Sequence, residues 1–87
     1  MNAKKYLQWA TLRALSFGET RVLSVLQEST RPMEYAETAE EAGLCGRGVA
    51  FCFRALEGRW MVHIGVKGKR NTGEVSPKTR TELESLS

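Results

Sequence analysis

Cationic side chains are the residues of this sequence with the clearest chemical use. Residues 67–80 hold five Lys and Arg against one Glu, and three of these cations, Lys67, Lys69 and Arg70, fall in a polar segment that contains glycine. Lysine and arginine neutralise phosphates. A guanidinium such as that of Arg47 can also donate two hydrogen bonds to guanine, which discriminates against other bases by about 1 to 3 kcal/mol. The chemistry that these residues favour is therefore the binding of a polyanion.

Catalytic and metal-binding chemistry lacks the residues that it needs. His63 is the only histidine and has no evident serine or cysteine partner. His63, Cys45 and Cys52 give only three candidate ligands, and a structural zinc site takes about four. The two cysteines fall in one predicted helix, separated by about 10 Å of rise, so they cannot pair. We interpret both as small apolar packing residues, and we expect no enzyme, no metal and no cofactor.

The composition is that of an ordinary globular chain. It has 87 residues, of which 41% are hydrophobic and 26% charged, with a net charge of +3 and a mean hydropathy of −0.35. This length supports one hydrophobic core, so we expect a single domain. No apolar run approaches the roughly 20 residues that cross a bilayer, and the N-terminal segment has no signal-peptide core. We therefore expect a cytoplasmic protein with no membrane partner.

Helical periodicity marks the beginning of the chain. Apolar residues recur at helical spacing over residues 4–15, which predicts a leading helix. Ser16 and Glu19 form an S-x-x-E capping box, in which each side chain satisfies a backbone N–H of the other residue, so a second helix begins there. The polar residues before Pro32 end this second helix.

Two further helices are predicted between Pro32 and the strands. The first covers residues 33–42 and stops at Gly43, and the second runs from about Gly46 to Glu57 and ends at Gly58. Apolar residues of the second recur at i, i+3, i+4 and i+7, which gives it one buried face. The residues of that face are Val49, Cys52, Phe53 and Leu56.

The period becomes twofold after Gly58. Apolar residues alternate with others over residues 60–66, beginning at Trp60, which predicts a strand with one buried face. Residues 67–73 then form a turn and residues 74–76 a returning strand, so that the two strands make a hairpin. Ser76 before Pro77 is typical of a helix start and predicts a last helix. The fold class is therefore α+β: a three-helix core with a leading helix, a two-stranded hairpin and a C-terminal helix.

Three small residues support a helix-turn-helix. Ala39, Gly43 and Val49 stand at the spacing A-x-x-x-G-x-x-x-x-x-V: the alanine allows close approach, the glycine turns the chain and the valine packs the second helix on the first. On this spacing, and with VKGKRNTGEV as its wing, the chain resembles winged helix-turn-helix regulators of the MarR-like or phage and plasmid types. The resemblance covers about residues 16–87. It implies one domain, 1–87, composed of a leading helix (4–15), a helical core with the first wing strand (16–66), a wing (67–76) and a C-terminal helix (77–87).

The resemblance implies a DNA-binding transcriptional regulator that acts by occupying its site. Members of this family lay the second helix of the pair in the major groove of double-stranded DNA, and the wing touches the flanking backbone. Transferred to this sequence, the DNA-binding residues are Gly46, Arg47, Gly48, Phe51 and Arg54 on the helix and Lys67, Lys69, Arg70 and Asn71 on the wing. We expect a homodimer, formed through the leading and C-terminal helices.

Two features depart from the family pattern and support a second hypothesis about function. Glu34, Glu37 and Glu41 crowd one exposed face of the helix that would cross the DNA, where carboxylates repel phosphates. Phe51 is an outward aromatic residue, which is more natural at a protein interface than in a groove. The alternative function is a winged helix protein–protein interaction module, as an assembly subunit or a viral protein that binds a host factor through the acidic face and Phe51.

Overall fold

Five helices and three strands make up the fold. A computed structural model describes all residues, Met1–Ser87. The elements are α1 (Ala3–Leu12), α2 (Phe17–Glu28), β1 (Met33–Glu34), α3 (Tyr35–Ala42), α4 (Gly46–Gly58), β2 (Val62–Lys67), β3 (Arg70–Val75) and α5 (Pro77–Glu84). The strands form one antiparallel sheet in the order β1-β3-β2, which confirms the α+β class. None of the helices has the length and apolar character that crossing a bilayer requires.

Local signals fix the ends of the first two helices. The capping box is present, since the N–H of Glu19 donates to Ser16 Oγ at 3.1 Å and the N–H of Ser16 donates to Glu19 Oε1 at 2.8 Å. The leading helix, predicted over 4–15, ends earlier because Ala14 takes a left-handed conformation with φ 56°. The N–H of Leu15 then donates back to the carbonyl of Ala10 at 3.1 Å.

The prediction of a helix over residues 33–42 was wrong at its start. Met33 and Glu34 form a short strand that pairs with Gly73 and Thr72 of β3. Glu34 therefore has extended backbone angles and caps α3, which begins only at Tyr35. The sheet has three strands as a result, where the sequence predicted a two-stranded hairpin.

The hairpin itself is longer and tighter than predicted. Arg70 pairs directly with Lys67, so only Gly68 and Lys69 form the turn, and Gly68 has φ 65°. The prediction of a turn over residues 67–73 is wrong, because residues 70–73 belong to β3. Gly73 is required for close packing and not for a turn. A methyl group on Gly73 would lie 2.3 Å from the ring of Phe53, so the glycine lets β3 lie directly on α4.

The end of α4 also differs from the prediction. The helix continues through Gly58, and Trp60 takes the left-handed position with φ 63°. Strand β2 therefore begins at Val62 instead of residue 60, and Trp60 is exposed. Helix α5 begins at Pro77 as predicted, but it ends at Glu84 and not at residue 87.

One hydrophobic core holds these elements together. The inner face predicted for α4 is buried as a whole, and it consists of Val49, Cys52, Phe53 and Leu56. Tyr35 of α3 stacks on Phe53 with ring centroids 4.3 Å apart. Because one face of α4 is fixed in this core, its opposite face points away from the protein.

Candidate nucleic-acid interface

The outward face of α4 carries a stripe of long side chains. Arg47, Phe51 and Arg54 follow one another at intervals of four and three residues, which places them on the same side of a helix. All three are exposed, and the Phe51 ring is 74% exposed. Neither arginine takes part in any of the three ion pairs of the structure. The stripe can therefore donate hydrogen bonds at both ends, with an apolar contact between them.

The first turn of α4 leaves its backbone open. A methyl group added at Gly46 would meet no atom within 4 Å. The Cys45 sulfur accepts a hydrogen bond from the N–H of Gly48 at 3.4 Å and so caps the helix. Cys45 is exposed, so the interpretation of both cysteines as packing residues is right only for the buried Cys52. A ligand could approach the backbone of this turn closely.

The turn between α3 and α4 has the geometry of a helix-turn-helix. Gly43 ends α3 with φ 69°, as its position in the spacing predicts. Arg21 of α2 reaches across, and its Nε donates to the carbonyl of Ala42 at 2.6 Å. This hydrogen bond gives a partner to a carbonyl at the end of α3 that has none within the helix. The positive guanidinium is also attracted to the negative end of the helix dipole. The sequence carries no local signal for it, because Arg21 and Ala42 belong to different helices.

The wing presents a mixture of free and paired cations. Lys67 and Lys69 are exposed and take part in no ion pair. Arg70 is also exposed, but its Nη1 donates to Glu34 Oε2 at 3.0 Å. Asn71 lies within β3 opposite Val66 and not in a loop. Lys67 and Lys69 are thus the wing cations that are free to meet a polyanion.

The predicted acidic face is largely occupied by arginines. Both terminal nitrogens of Arg31 donate hydrogen bonds to the Glu37 carboxylate, at 2.6 and 3.2 Å. This contact, together with the donated backbone N–H of Glu34, lowers the pKa of Glu37 to about 2. Glu34 precedes α3 and holds Arg70. Of the three predicted carboxylates, only that of Glu41 has no ion-pair partner.

A cleft of about 440 Å³ lies between the wing and the start of α3. Its walls include Tyr35, Arg70 and Asn71. Burial raises the pKa of the Tyr35 phenol, and the nearby charge of Arg54 on α4 opposes this shift. Tyr35 therefore stands between α4 and the wing. The sequence gives no signal for Tyr35 as a site residue, because its place beside the wing depends on the pairing of β1 with β3.

The remaining reactive side chains are dispersed. His63 lies exposed on β2, opposite Glu74 of β3. Burial raises the pKa of the Cys52 thiol. The structure holds no group of three His, Cys, Asp or Glu side chains that could bind a metal ion.

Comparison with known proteins gives matches in structure alone. No protein-family model matches the sequence, and no curated protein matches it. Among solved structures, a MarR-family transcriptional regulator from Silicibacter pomeroyi superposes with a TM-score of 0.77 at 15% identity, over 95% of this chain and 57% of that one. BldR, a transcriptional regulator from Sulfolobus solfataricus, gives 0.73 at 19% identity, over 95% and 60%. S. aureus MepR in complex with DNA gives 0.75 at 16% identity, over 95% and 73%.

These matches extend over nearly all of the present chain. The chain itself spans 57% of the Silicibacter regulator and 60% of BldR, so each of those proteins has further structure outside the superposition. At identities of 15 to 19% the likeness concerns the fold. The chain thus has the winged helix-turn-helix fold found in transcriptional regulators of the MarR family.

Proposed function

We propose that this protein is a DNA-binding transcriptional regulator that acts by occupying its site on double-stranded DNA. The observation that carries the proposal is the unpaired, outward stripe of α4, which bears Arg47 and Arg54, on the same molecule as the free lysines of the wing. MepR, which has a similar fold, has been crystallised with DNA. The proposal also puts the protein in the cytoplasm with its DNA.

In this proposal α4 enters the major groove by its first turns. Arg47 lies one residue into the helix and would read guanine through two hydrogen bonds, which is worth about 1 to 3 kcal/mol. Phe51 would contact a thymine methyl group. Gly46 and Gly48 place no side chain over the first turn, so a phosphate could approach the backbone N–H groups of Gly46 and Arg47, where the helix dipole favours negative charge. The N–H of Gly48 is already bound to the Cys45 sulfur.

The wing would hold the flanking backbone. Lys67 and Lys69 would each neutralise a phosphate, which adds affinity without reading sequence. Asn71 would donate a hydrogen bond to the same strand. Arg70 would remain on Glu34 and contribute less than a free arginine. The acidic face of α3 is a smaller obstacle than its sequence indicates, because Arg31 and Arg70 offset two of its carboxylates.

We also propose that the protein binds DNA as a homodimer through α1 and the C-terminal end of α5, which lies beside α1 because the N–H of Asn2 donates to the carbonyl of Leu86 at 3.2 Å. The first turn of α5, with Lys78, stays outside this interface. Leu7 and Leu12 of α1 are 57% and 84% exposed. They lie on the outer face of that helix together with Lys4, Gln8 and Thr11, and all five residues are exposed. Burial of exposed leucines between two copies would contribute roughly 25 cal/mol per Å². A two-fold axis would double the number of phosphate contacts.

A polarisation titration with labelled, mixed-sequence duplex DNA tests the proposed function. We expect Arg47→Glu and Lys69→Glu each to raise Kd by about tenfold or more, because each replaces attraction to a phosphate or base by repulsion. Lys78→Glu on α5 is the matched control: it makes the same charge change away from α4 and the wing, and we expect a much smaller effect. Equal effects of all three variants would contradict the proposal, because only net charge would then matter.

A further inference from the structure

Trp60 is exposed and conformationally strained. It follows the C-terminal end of α4, and its side chain is 86% exposed. Its φ of 63° lies in the left-handed region that favours glycine. Gly58 stands two residues earlier, yet the chain places tryptophan at the left-handed position. A strained backbone position with a large exposed aromatic side chain is a reason to look for a function there.

Two hydrogen bonds hold the backbone of the turn at Trp60. The N–H of Met61 donates to the carbonyl of Leu56 at 3.0 Å, which closes the end of the helix. The hydroxyl of Ser76 donates to the carbonyl of Trp60 at 2.9 Å. The turn is therefore anchored both to α4 and to the start of α5.

Trp60 lines two clefts. The larger, of about 550 Å³, also includes Pro77, His63, Glu74 and Arg80 in its walls. The smaller, of about 310 Å³, includes Arg59 and Lys78. Its carboxylate, Glu82, is already paired with Arg13 at 3.4 Å. We call Arg59, Trp60, Pro77, Lys78 and Arg80 the Trp60 surface.

We propose that the Trp60 surface binds an acidic segment of a partner protein, which inserts an apolar side chain beside the indole. Tryptophan and arginine are the residues that most often dominate binding at protein interfaces. The three cations of the surface complement carboxylates. A peptide can place its carboxylates beside Arg59 and Lys78 and an apolar side chain in the cleft that contains Glu74. A nucleic-acid strand carries a negative charge at every nucleotide and would bring one to Glu74, so an acidic peptide fits better.

The Trp60 surface lies away from the proposed DNA interface. It begins after the last turn of α4, whereas Gly46 and Arg47 occupy the first turn, so the two are separated by most of the length of a 13-residue helix, about 19 Å. The Val62 and Val75 pair beside Trp60 is at the opposite end of the hairpin from Lys67 and Arg70. The partner and DNA can therefore bind at the same time.

A labelled Glu-rich peptide that contains leucine and phenylalanine is the probe, and fluorescence polarisation is the readout. We expect saturable binding that weakens by about tenfold or more when Gln replaces every Glu of the peptide, or when Trp60→Gly or Lys78→Glu is introduced. Phe51→Ser and Lys69→Glu are the controls, since they change an exposed aromatic residue and an exposed cation elsewhere. We expect both to bind the peptide as the unaltered protein does.

A stability control separates binding from folding. Ala14 ends α1 with the same left-handed geometry, so Ala14→Gly and Trp60→Gly should both raise Tm, but only Trp60→Gly should lose the peptide. Three results would overturn the proposal: no saturable binding up to about 1 mM peptide, unchanged binding by Trp60→Gly, or tighter Trp60-dependent binding of single-stranded oligo(dT). The last would identify the surface as a site for single strands.

Discussion

At the scale of single residues, ion pairs decide which charges are available to a ligand. Arg31 and Arg70 are held by Glu37 and Glu34, whereas Arg47 on α4 has no partner. The sequence treats all these cations alike, because the pairing depends on which side chains the fold brings together. The candidate site therefore contains fewer available cations than a count of basic residues indicates.

The Arg31–Glu37 pair gives a prediction about pH. The folded-state pKa of Glu37 is about 2, below the ordinary value of 4.5. A lowered carboxyl pKa stabilises the fold above pH 4.5, and this stabilisation is lost as the pH falls towards 2. We expect NMR titration of the Glu37 carboxyl to give a midpoint near 2, and Arg31→Ala to return it towards 4.5. The same midpoint in both proteins would contradict the role of Arg31.

Gly73 gives a prediction about packing. A methyl group there would lie 2.3 Å from the ring of Phe53, which is fully buried and cannot move aside. Gly73→Ala should lower the free energy of unfolding by about 1 to 3 kcal/mol, as overpacking of a core does. Urea denaturation measures the effect. Gly58→Ala, where a methyl group meets nothing within 4 Å, should leave stability unchanged or raise it.

At the scale of elements, several short-range signals predict the structure correctly, whereas the pairing of distant segments is missed. The capping box at Ser16, the stop at Gly43 and the inner face of α4 are each set by residues within one or two helical turns of one another. Strand β1 has only two residues and no period of its own, and its pairing with Gly73 forms it. No local pattern could have predicted it.

The candidate site divides in the same way. The stripe of Arg47, Phe51 and Arg54 follows from helical spacing and was predicted. Tyr35 and the Glu34–Arg70 pair depend on the third strand, which brings the start of α3 beside the wing. The loop predicted over residues 67–73 is wrong for the same reason. Gly73 is typical of a turn in the sequence, but its partners in the structure, Met33 and Phe53, are distant along the chain.

The contact between β1 and the wing gives a prediction about DNA binding. Glu34 withholds Arg70 from phosphates, at a distance of 3.0 Å. Glu34→Gln should free this arginine, lower Kd for duplex DNA by about threefold to tenfold and steepen the salt dependence by about one unit per bound copy. Glu28→Gln at the end of α2 removes the same charge at an exposed, unpaired residue elsewhere and should do neither. Unchanged affinity in Glu34→Gln would indicate that Arg70 does not reach the DNA.

At the scale of the whole molecule, the fold gives different surfaces different chemistry. The first turns of α4 and the tip of the wing carry free cations, the outer side of α1 carries exposed leucines, and the Trp60 surface lies at the far end of α4. The net charge of +3 is small, so attraction to DNA must come from this arrangement and not from the total charge.

The salt dependence of duplex DNA binding tests the central claim most directly. In the proposed DNA interface each copy offers four unpaired cations, Arg47, Arg54, Lys67 and Lys69. If each neutralises one phosphate, a plot of the logarithm of the association constant against the logarithm of salt concentration should have a slope of about −7 for a dimer and about −4 for a monomer. Sedimentation of the same complex decides between the two. A slope near zero would contradict the account.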